Sequence, residues 1–504
     1  MTAKAPNILI VMADQMAPGF LPIHGHALVR APHMQALARD GVVFDSAYCN
    51  SPLCAPSRAS FMSGLLPSRT RVYDNAAEFA AGIPTFAHGL RLRGYHTILS
   101  GKMHFCGPDQ LHGFEQRLTT DIYPADFGWT PDWDRPEHRP SWYHNMSSVR
   151  DAGVCVRTNQ LDFDDEAAFM AERAIFDLAR SRDQRPFLLV ASFTHPHDPF
   201  AVPQRYWDLY RDSDIETPAH TIALDAHSRR LRHVCAMDAE PVTEDEVRAA
   251  RRAYYGAIAY IDDLLGRLVG ALRSAALAED TIVILTSDHG EMLGERGLWY
   301  KMSFFEGASR VPLIVASPSR FEPRRVATNV SLVDLMPTLI ELSGGNAQSL
   351  GIGVDGRSLA PHLRGAGGHD EAIGEYLAEG AIAPMVMIRR GPFKFIHSPA
   401  DPDQLFDLSH DPGERDNLAD NPASAALVAD FRAEVGKRWD LAELDARVRE
   451  SQRRRRLIDA ALSKGKIHPW DFQPFRDAAR QYMRNSMDLD DLERSARFPP
   501  VVPR

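Results

Sequence analysis

Five clusters in this chain are built from residue types that bind charge or move protons. The first is Cys54-Ala55-Pro56-Ser57-Arg58, running on through Ala59-Ser60-Phe61-Met62-Ser63 to Gly64. Pro56 suits the first turn of a helix, where its missing N–H costs nothing. Cys54 is therefore predicted just ahead of a helix N-terminus, where partial positive charge favours an anion or an oxyanion. The others are Asp14-Gln15, Gly101-Lys102-Met103-His104, His195-Pro196-His197-Asp198 and Asp288-His289-Gly290-Glu291.

Each of these four follows an apolar run: Asn7 to Ala13, His96 to Ser100, Phe187 to Phe193 and Thr281 to Thr286, with a fifth run at Val311 to Ala316. Unbroken apolar character marks strands buried on both faces, as in a parallel sheet covered by helices. The fold class expected is α/β, a large mainly parallel sheet flanked by helices. Ligands in such folds bind beyond the carboxyl ends of the strands, so four strand ends would aim their clusters at one edge.

From about residue 371 the pattern changes. Met385 to Arg390, Phe393 to His397 and Leu405 to Leu408 read as short strands of a small antiparallel sheet, followed by a helical stretch from Ala423 to about Arg449. This divides the chain into a main domain (1–370), a C-terminal subdomain (371–450) and a tail (451–504). The tail holds Trp470, Phe472, Phe475, Tyr482 and Met483 and is expected to pack, on a neighbouring subunit of an oligomer. Arg453-Arg454-Arg455-Arg456 reads as a solvated helix face or an oligomer contact.

The 504 residues are 44% hydrophobic and 25% charged, ordinary for a globular protein, and the net charge of −10 argues against a nucleic-acid partner. Five cysteines, odd in number and unpaired by spacing, fit a reducing compartment. The first apolar run is too short for a signal sequence, and no segment approaches membrane-spanning length. A cytoplasmic protein is expected.

The C-x-P-S-R signature resembles that of the type I sulfatases of the alkaline phosphatase superfamily. In that family a maturation enzyme oxidises the motif cysteine to formylglycine, and the aldehyde hydrate is the nucleophile. One hydroxyl attacks and the other expels the sulfate by re-forming the carbonyl, covalent catalysis with its own release step. The resemblance implies that residues 1–370 are the catalytic domain and that Asp14, Asp288 and His289 hold one divalent cation beside Cys54. Gln15 and His289 stand where many members have an acidic residue and an asparagine. Ca²⁺ is thus joined by Mn²⁺ and Mg²⁺ as alternatives. By the same resemblance Arg58 holds the hydrate, and Lys102 and Lys301 bind the sulfate oxygens. His104 deprotonates the diol, and His197 assists the leaving oxygen with Lys301. His195, His24, His26 and His33 are left with structural roles.

Further stretches resemble the choline sulfatases: Tyr73-Asp74-Asn75-Ala76, Gly107 to Phe114, Phe127-Gly128-Trp129-Thr130-Pro131, and the tail around Trp470. The substrate implied is a small sulfate ester, choline-O-sulfate. A quaternary ammonium donates no hydrogen bond and needs aromatic faces and a negative charge. The expected contacts are Trp129 and His144 as walls, Asn75 as a polar contact and Glu379 as counter-charge, with Glu375 its rival. A phosphonate monoester or phosphodiester hydrolase, or an arylsulfatase, is the alternative. The tail resembles one exchanged between subunits, which makes a homotetramer the expected assembly.

Overall fold

The computed structural model describes residues 5–218 and 222–500; the last four tail residues lie outside that range. Across the main sheet the strands run Arg324–Ser331, Val42–Tyr48, Arg310–Ala316, Thr281–Ser287, Asn7–Asp14, Phe187–Pro196, His96–Gly101 and Gln116–Arg117. All neighbours pair in parallel except Arg310–Ala316, which is antiparallel to both of its partners. The expected large, mainly parallel α/β sheet is thus present, with one reversed strand. The sequence reading missed Val42–Tyr48, interrupted by Asp45 and Ser46, and Arg324–Ser331, an edge strand with polar alternate positions.

Side chains alternate across the central strands. Leu9, Val11, Leu189 and Val283 pack toward the long helices Asn159–Arg180 and Glu244–Ser274, whereas Ile8, Ile10, Leu188 and Ile282 pack toward Phe61, Phe86 and Leu339 on the other face. Two cores explain the unbroken apolar runs: each strand is covered on both sides. Glu244–Ser274 begins in a capping box between Thr243 and Glu246. Cys54–Ser63 closes at Gly64, whose φ of 69° is easy only for glycine.

The smaller sheet is Glu371–Tyr376, Met385–Arg390, Phe393–Ser398 and Asp401–Asp407, antiparallel throughout. Val428, Phe431 and Val435 of the helix Ala425–Arg438 cover Val386, Ile388, Phe395 and Leu405. A second helix, Leu441–Leu462, runs without a break through residue 450.

That helix corrects the reading of the arginine run. Arg455 is buried and grips both oxygens of Asp74 at 2.7 and 2.6 Å, Arg456 pairs with Asp132, and Arg453 with Asp134. Arg453 and Arg454 are exposed, Arg454 on Glu450, so the solvated-face reading holds for these two and fails for Arg455 and Arg456. The partners lie more than 300 residues away, so local charge pattern could not show them. In the tail Trp470 packs edge-on against Phe127, while Phe475 and Tyr482 are 90% and 72% exposed. Among the described residues no helix is long and apolar enough to cross a membrane.

Candidate active site

Strand register brings the predicted clusters together. Ala13 pairs with Ser287 and Asp14 with Pro196, which sets Asp14, Asp288 and the His195–Asp198 segment side by side. Gly101 pairs with Ser192 and adds Lys102. Gly101 has φ 102°, and a Cβ there would lie 1.8 Å from the Ser192 carbonyl oxygen. Only glycine permits that approach.

The helix Cys54–Ser63 starts at the same edge. Its N-cap is Leu53, so Cys54 lies within the first turn rather than just ahead of it. Leu53 has no capping side chain, and Asn75 Oδ1 accepts from the Ala55 N–H at 3.0 Å instead. Asn75 therefore fixes the start of the Cys54 helix as well as lining a pocket.

One ligand-type atom from each of Asp14, Cys54, Asp288 and His289 lies within 4.8 Å of the others, all buried. Cys54 Sγ is 3.2 Å from His289 Nε2 and 3.9 Å from Asp14 Oδ1. His289 Nδ1 donates to the Gly290 carbonyl at 3.0 Å, which leaves the Nε2 lone pair facing the cluster. Burial holds this imidazole below its usual pKa, in the neutral form a ligand needs. Two carboxylates and a neutral imidazole converging in this way fit a divalent cation.

Gln15 is hydrogen-bonded at both ends of its amide. Its Oε1 accepts from Lys301 Nζ at 2.6 Å, and its Nε2 donates to Glu291.

Arg58 is wholly buried. Its Nε donates to Asp288 Oδ2 and its Nη2 to Asp14 Oδ2, both at 2.8 Å. Nη1 bonds the Lys102 carbonyl at 2.7 Å and Ser192 Oγ at 2.9 Å. The rigid fork thus locks both candidate ligand carboxylates. Lys102 Nζ pairs with Asp14, stands 3.7 Å from Cys54 Sγ and lies 4.1 Å from the Tyr123 ring centre. Burial would raise the Asp14 carboxyl, but Lys102 and Arg58 outweigh it and hold it well below its usual range. Burial, reinforced by the charge on Asp14, pushes the Cys54 thiol up to about 12. The unmodified side chain is a neutral thiol.

Asp121 Oδ2 accepts from the backbone N–H of both Met103 and His104, holding His104 at φ 54°. The His104 ring packs against Tyr123 and Trp129, and both of its nitrogens are buried without a hydrogen-bond partner. Burial and Lys102 push it to about 3, so it is a neutral base. His197 Nε2 accepts from Lys301 Nζ at 2.8 Å, and its Nδ1 donates to the Asp198 carbonyl at 2.6 Å. His195 Nδ1 binds Asp164 at 2.7 Å, turned to a structural partner.

Cys54, His197 and Lys301 also border a cavity of about 70 Å³. Its other walls are Asn75, Trp129, His144 and Glu379, which the sequence singled out, together with Trp142 and Tyr143. Tyr123 completes it and had no local signal beyond being aromatic. Glu375 is elsewhere: it accepts from Ser68 and from Trp439 Nε1. Glu379 is buried, its Oε2 has no hydrogen-bond partner, and burial raises its carboxyl to about 7.

The sulfatase family profile matches residues 6–345. The chain belongs to the sulfatase family. Sulfatases are sulfuric ester hydrolases of the alkaline phosphatase superfamily, and this one also matches a choline sulfatase C-terminal profile over 446–498 and an N-sulphoglucosamine sulphohydrolase C-terminal profile over 294–439. A choline-sulfatase of Rhizobium meliloti (strain 1021) is 49% identical, with 99% of each chain covered. A multifunctional alkaline phosphatase superfamily protein of Trinickia caryophylli is 28% identical, covering 88% of this sulfatase and 96% of its own length. The crystal structure of a phosphonate monoester hydrolase of Agrobacterium radiobacter superposes with a TM-score of 0.68 at 27% identity, covering 88% of this chain and 96% of its own.

Proposed function

We propose that this sulfatase hydrolyses choline-O-sulfate to choline and sulfate, with a formylglycine hydrate made from Cys54 as nucleophile. One observation carries the substrate. A buried carboxylate oxygen of Glu379 without a partner shares a small aromatic-walled cavity with Cys54. A trimethylammonium head is satisfied by ring faces and a fixed negative charge. The choline-sulfatase relative supports the same reading.

Asp14, Asp288 and His289 would hold one divalent ion, Ca²⁺ or else Mn²⁺ or Mg²⁺, whose contribution is to orient and acidify the attacking hydroxyl. Arg58 keeps the two carboxylates aligned for it. Lys102 lies 3.7 Å from Cys54 Sγ and Lys301 borders the same cavity as Cys54, and the two offset charge developing on the sulfate oxygens. His104, neutral and without a partner, takes a proton from the residue-54 diol as sulfate departs. Lys301 holds a proton against His197 Nε2, and that pair protonates the choline oxygen, a poor leaving group as an alkoxide. A formylglycine-generating maturation enzyme must supply the aldehyde. The exposed Phe475 and Tyr482 support a homotetramer held by its tails. A cytoplasmic location remains part of the reading, on cysteine usage.

The test is sulfate release from choline-O-sulfate set beside turnover of a phenyl phosphonate ester, with mass analysis of the residue-54 peptide. An aldehyde at residue 54 and preference for the choline ester are expected. Preference for the phosphonate would favour the hydrolase seen in the structural relative. A thiol in active enzyme would end the formylglycine reading.

A further inference from the structure

The C-terminal helix Leu441–Leu462 touches three separate segments that carry pocket residues. Arg455 donates to Asp74 Oδ1 and Oδ2 at 2.7 and 2.6 Å and to Thr130 Oγ1 at 3.1 Å. Asp74 precedes Asn75 in the chain, and Thr130 follows Trp129. Gln452 Oε1 accepts from the Trp133 N–H at 2.9 Å, and Trp133 Nε1 donates to the Ala378 carbonyl at 2.9 Å, one residue before Glu379. Arg449 adds bonds to the Trp133 carbonyl and the Ile382 carbonyl, both at 2.7 Å. Each partner is adjacent in sequence to a wall of the cavity, or within a few residues of one.

We infer that Arg455 is a positioning residue for the head-group pocket, fixing Asn75 and Trp129 relative to one another through Asp74 and Thr130. This rests on the choline reading above. The physical reason is the geometry of the guanidinium. Its planar fork takes Asp74 through two N–H groups while a third bond reaches Thr130. The Thr130 hydroxyl passes the restraint on by donating to the Phe127 carbonyl at 2.8 Å. Asp74 in turn accepts from the Ala76 N–H at 3.0 Å, which closes the turn around Asn75. Both ends of the pair are buried, so the charge cannot move to solvent without leaving its partner bare. The wall formed by Trp129 is a loop outside the main sheet, and this helix supplies the rigid backing that the sheet gives to Asp14 and Asp288. Neither Arg455 nor Thr130 lines the cavity or touches the cation-binding cluster.

The experiment compares two substrates that share the sulfate and differ in the head group, choline-O-sulfate and 4-nitrophenyl sulfate. It uses full-length, matured enzyme carrying Arg455→Lys or Thr130→Val, with Arg454→Ala as an exposed neighbouring control. The expected result is a KM for choline-O-sulfate raised about tenfold or more by displacement of the walls, with a smaller rise for Thr130→Val. The kcat on 4-nitrophenyl sulfate and the metal content stay within about twofold, the leeway for a site whose reacting groups have not moved. Arg454→Ala changes neither. Equal loss on both substrates, by altered chemistry or by loss of fold, overturns the inference, as does an unchanged KM in both variants. If the unsubstituted enzyme fails to prefer choline-O-sulfate, the choline reading itself has failed, and that result is visible before any variant is made.

Discussion

Gln15 Oε1 accepts a hydrogen bond from Lys301 Nζ at 2.6 Å, and Glu291 fixes the other end of the same amide. A neutral amide at position 15 therefore orients a cation instead of adding an anion to the ligand set. Burial works against the charge on Lys301, but neighbouring anionic groups, Asp198 and Asp14 among them, outweigh it and raise its pKa. The ammonium persists beside the neutral His197.

Lys301→Ala should lower kcat on choline-O-sulfate by about 10²–10³-fold, as expected when a transition-state donor is removed. The loss should be smaller on 4-nitrophenyl sulfate, whose leaving group needs no proton. Steady-state kinetics on both esters decides it; equal losses would remove Lys301 from leaving-group assistance.

Glu379 should impose an acidic limb on kcat/KM for choline-O-sulfate. Burial raises its carboxyl from the ordinary 4.5 to about 7, and only the ionised form attracts the cation. Since kcat/KM reports the free enzyme, activity should climb to a plateau above pH 7, and Glu379→Gln should flatten the limb and cost about tenfold or more. The sign for stability is the reverse. The folded state binds the extra proton between the two values, so this group's contribution falls as pH rises from 4.5 to about 7. Urea midpoints of the two proteins across that window should converge at low pH.

Chelation should abolish turnover, with recovery on adding Ca²⁺, Mn²⁺ or Mg²⁺. Asp14→Asn should remove the bound metal and leave Arg58 and Lys102 without their shared carboxylate, costing about 3–5 kcal/mol as for a broken buried pair. Elemental analysis and thermal unfolding report the two effects. Asp14 is held well below its usual range, so its stabilising contribution is present above the ordinary carboxylate value of 3.8 and fades only as pH falls further.

Gly101→Ala should destabilise the protein and lower kcat together. The added methyl would meet the Ser192 carbonyl 1.8 Å away, at a backbone angle that alanine resists. Ser192 Oγ also bonds Arg58, so a forced shift there reaches both candidate metal carboxylates. Normal stability in this variant would mean that the strand end has slack the contact denies.

The parts of the site that were legible in sequence are those written locally. Apolar runs buried on both faces announced the strands, and each ended in its polar cluster, so Asp14, Lys102, His197 and Asp288 could be placed at one edge. That Arg58 clamps both carboxylates could not be read locally, because its partners come from four strands or strand ends distant from its own helix. Asn75 looked like a substrate contact and is also a helix cap, a duty set by where Cys54–Ser63 begins. Tyr123 and Asp121 carry no spacing signal, and the choice of Glu379 over Glu375 depended on Ser68 and Trp439 occupying the latter. The reversed strand Arg310–Ala316 is as apolar as its neighbours, and direction leaves no trace in composition.

Asp14, Lys102 and Asp288 hang from strand ends seated between two cores, whereas the rings around Glu379 sit on excursions fastened by a distant helix. Reaction type and clientele are thereby mounted on different supports that meet at Asn75, which walls the cavity and also bonds the Ala55 N–H. A newcomer ester could be admitted by redrawing the excursions and their fastening, with the catalytic edge left untouched.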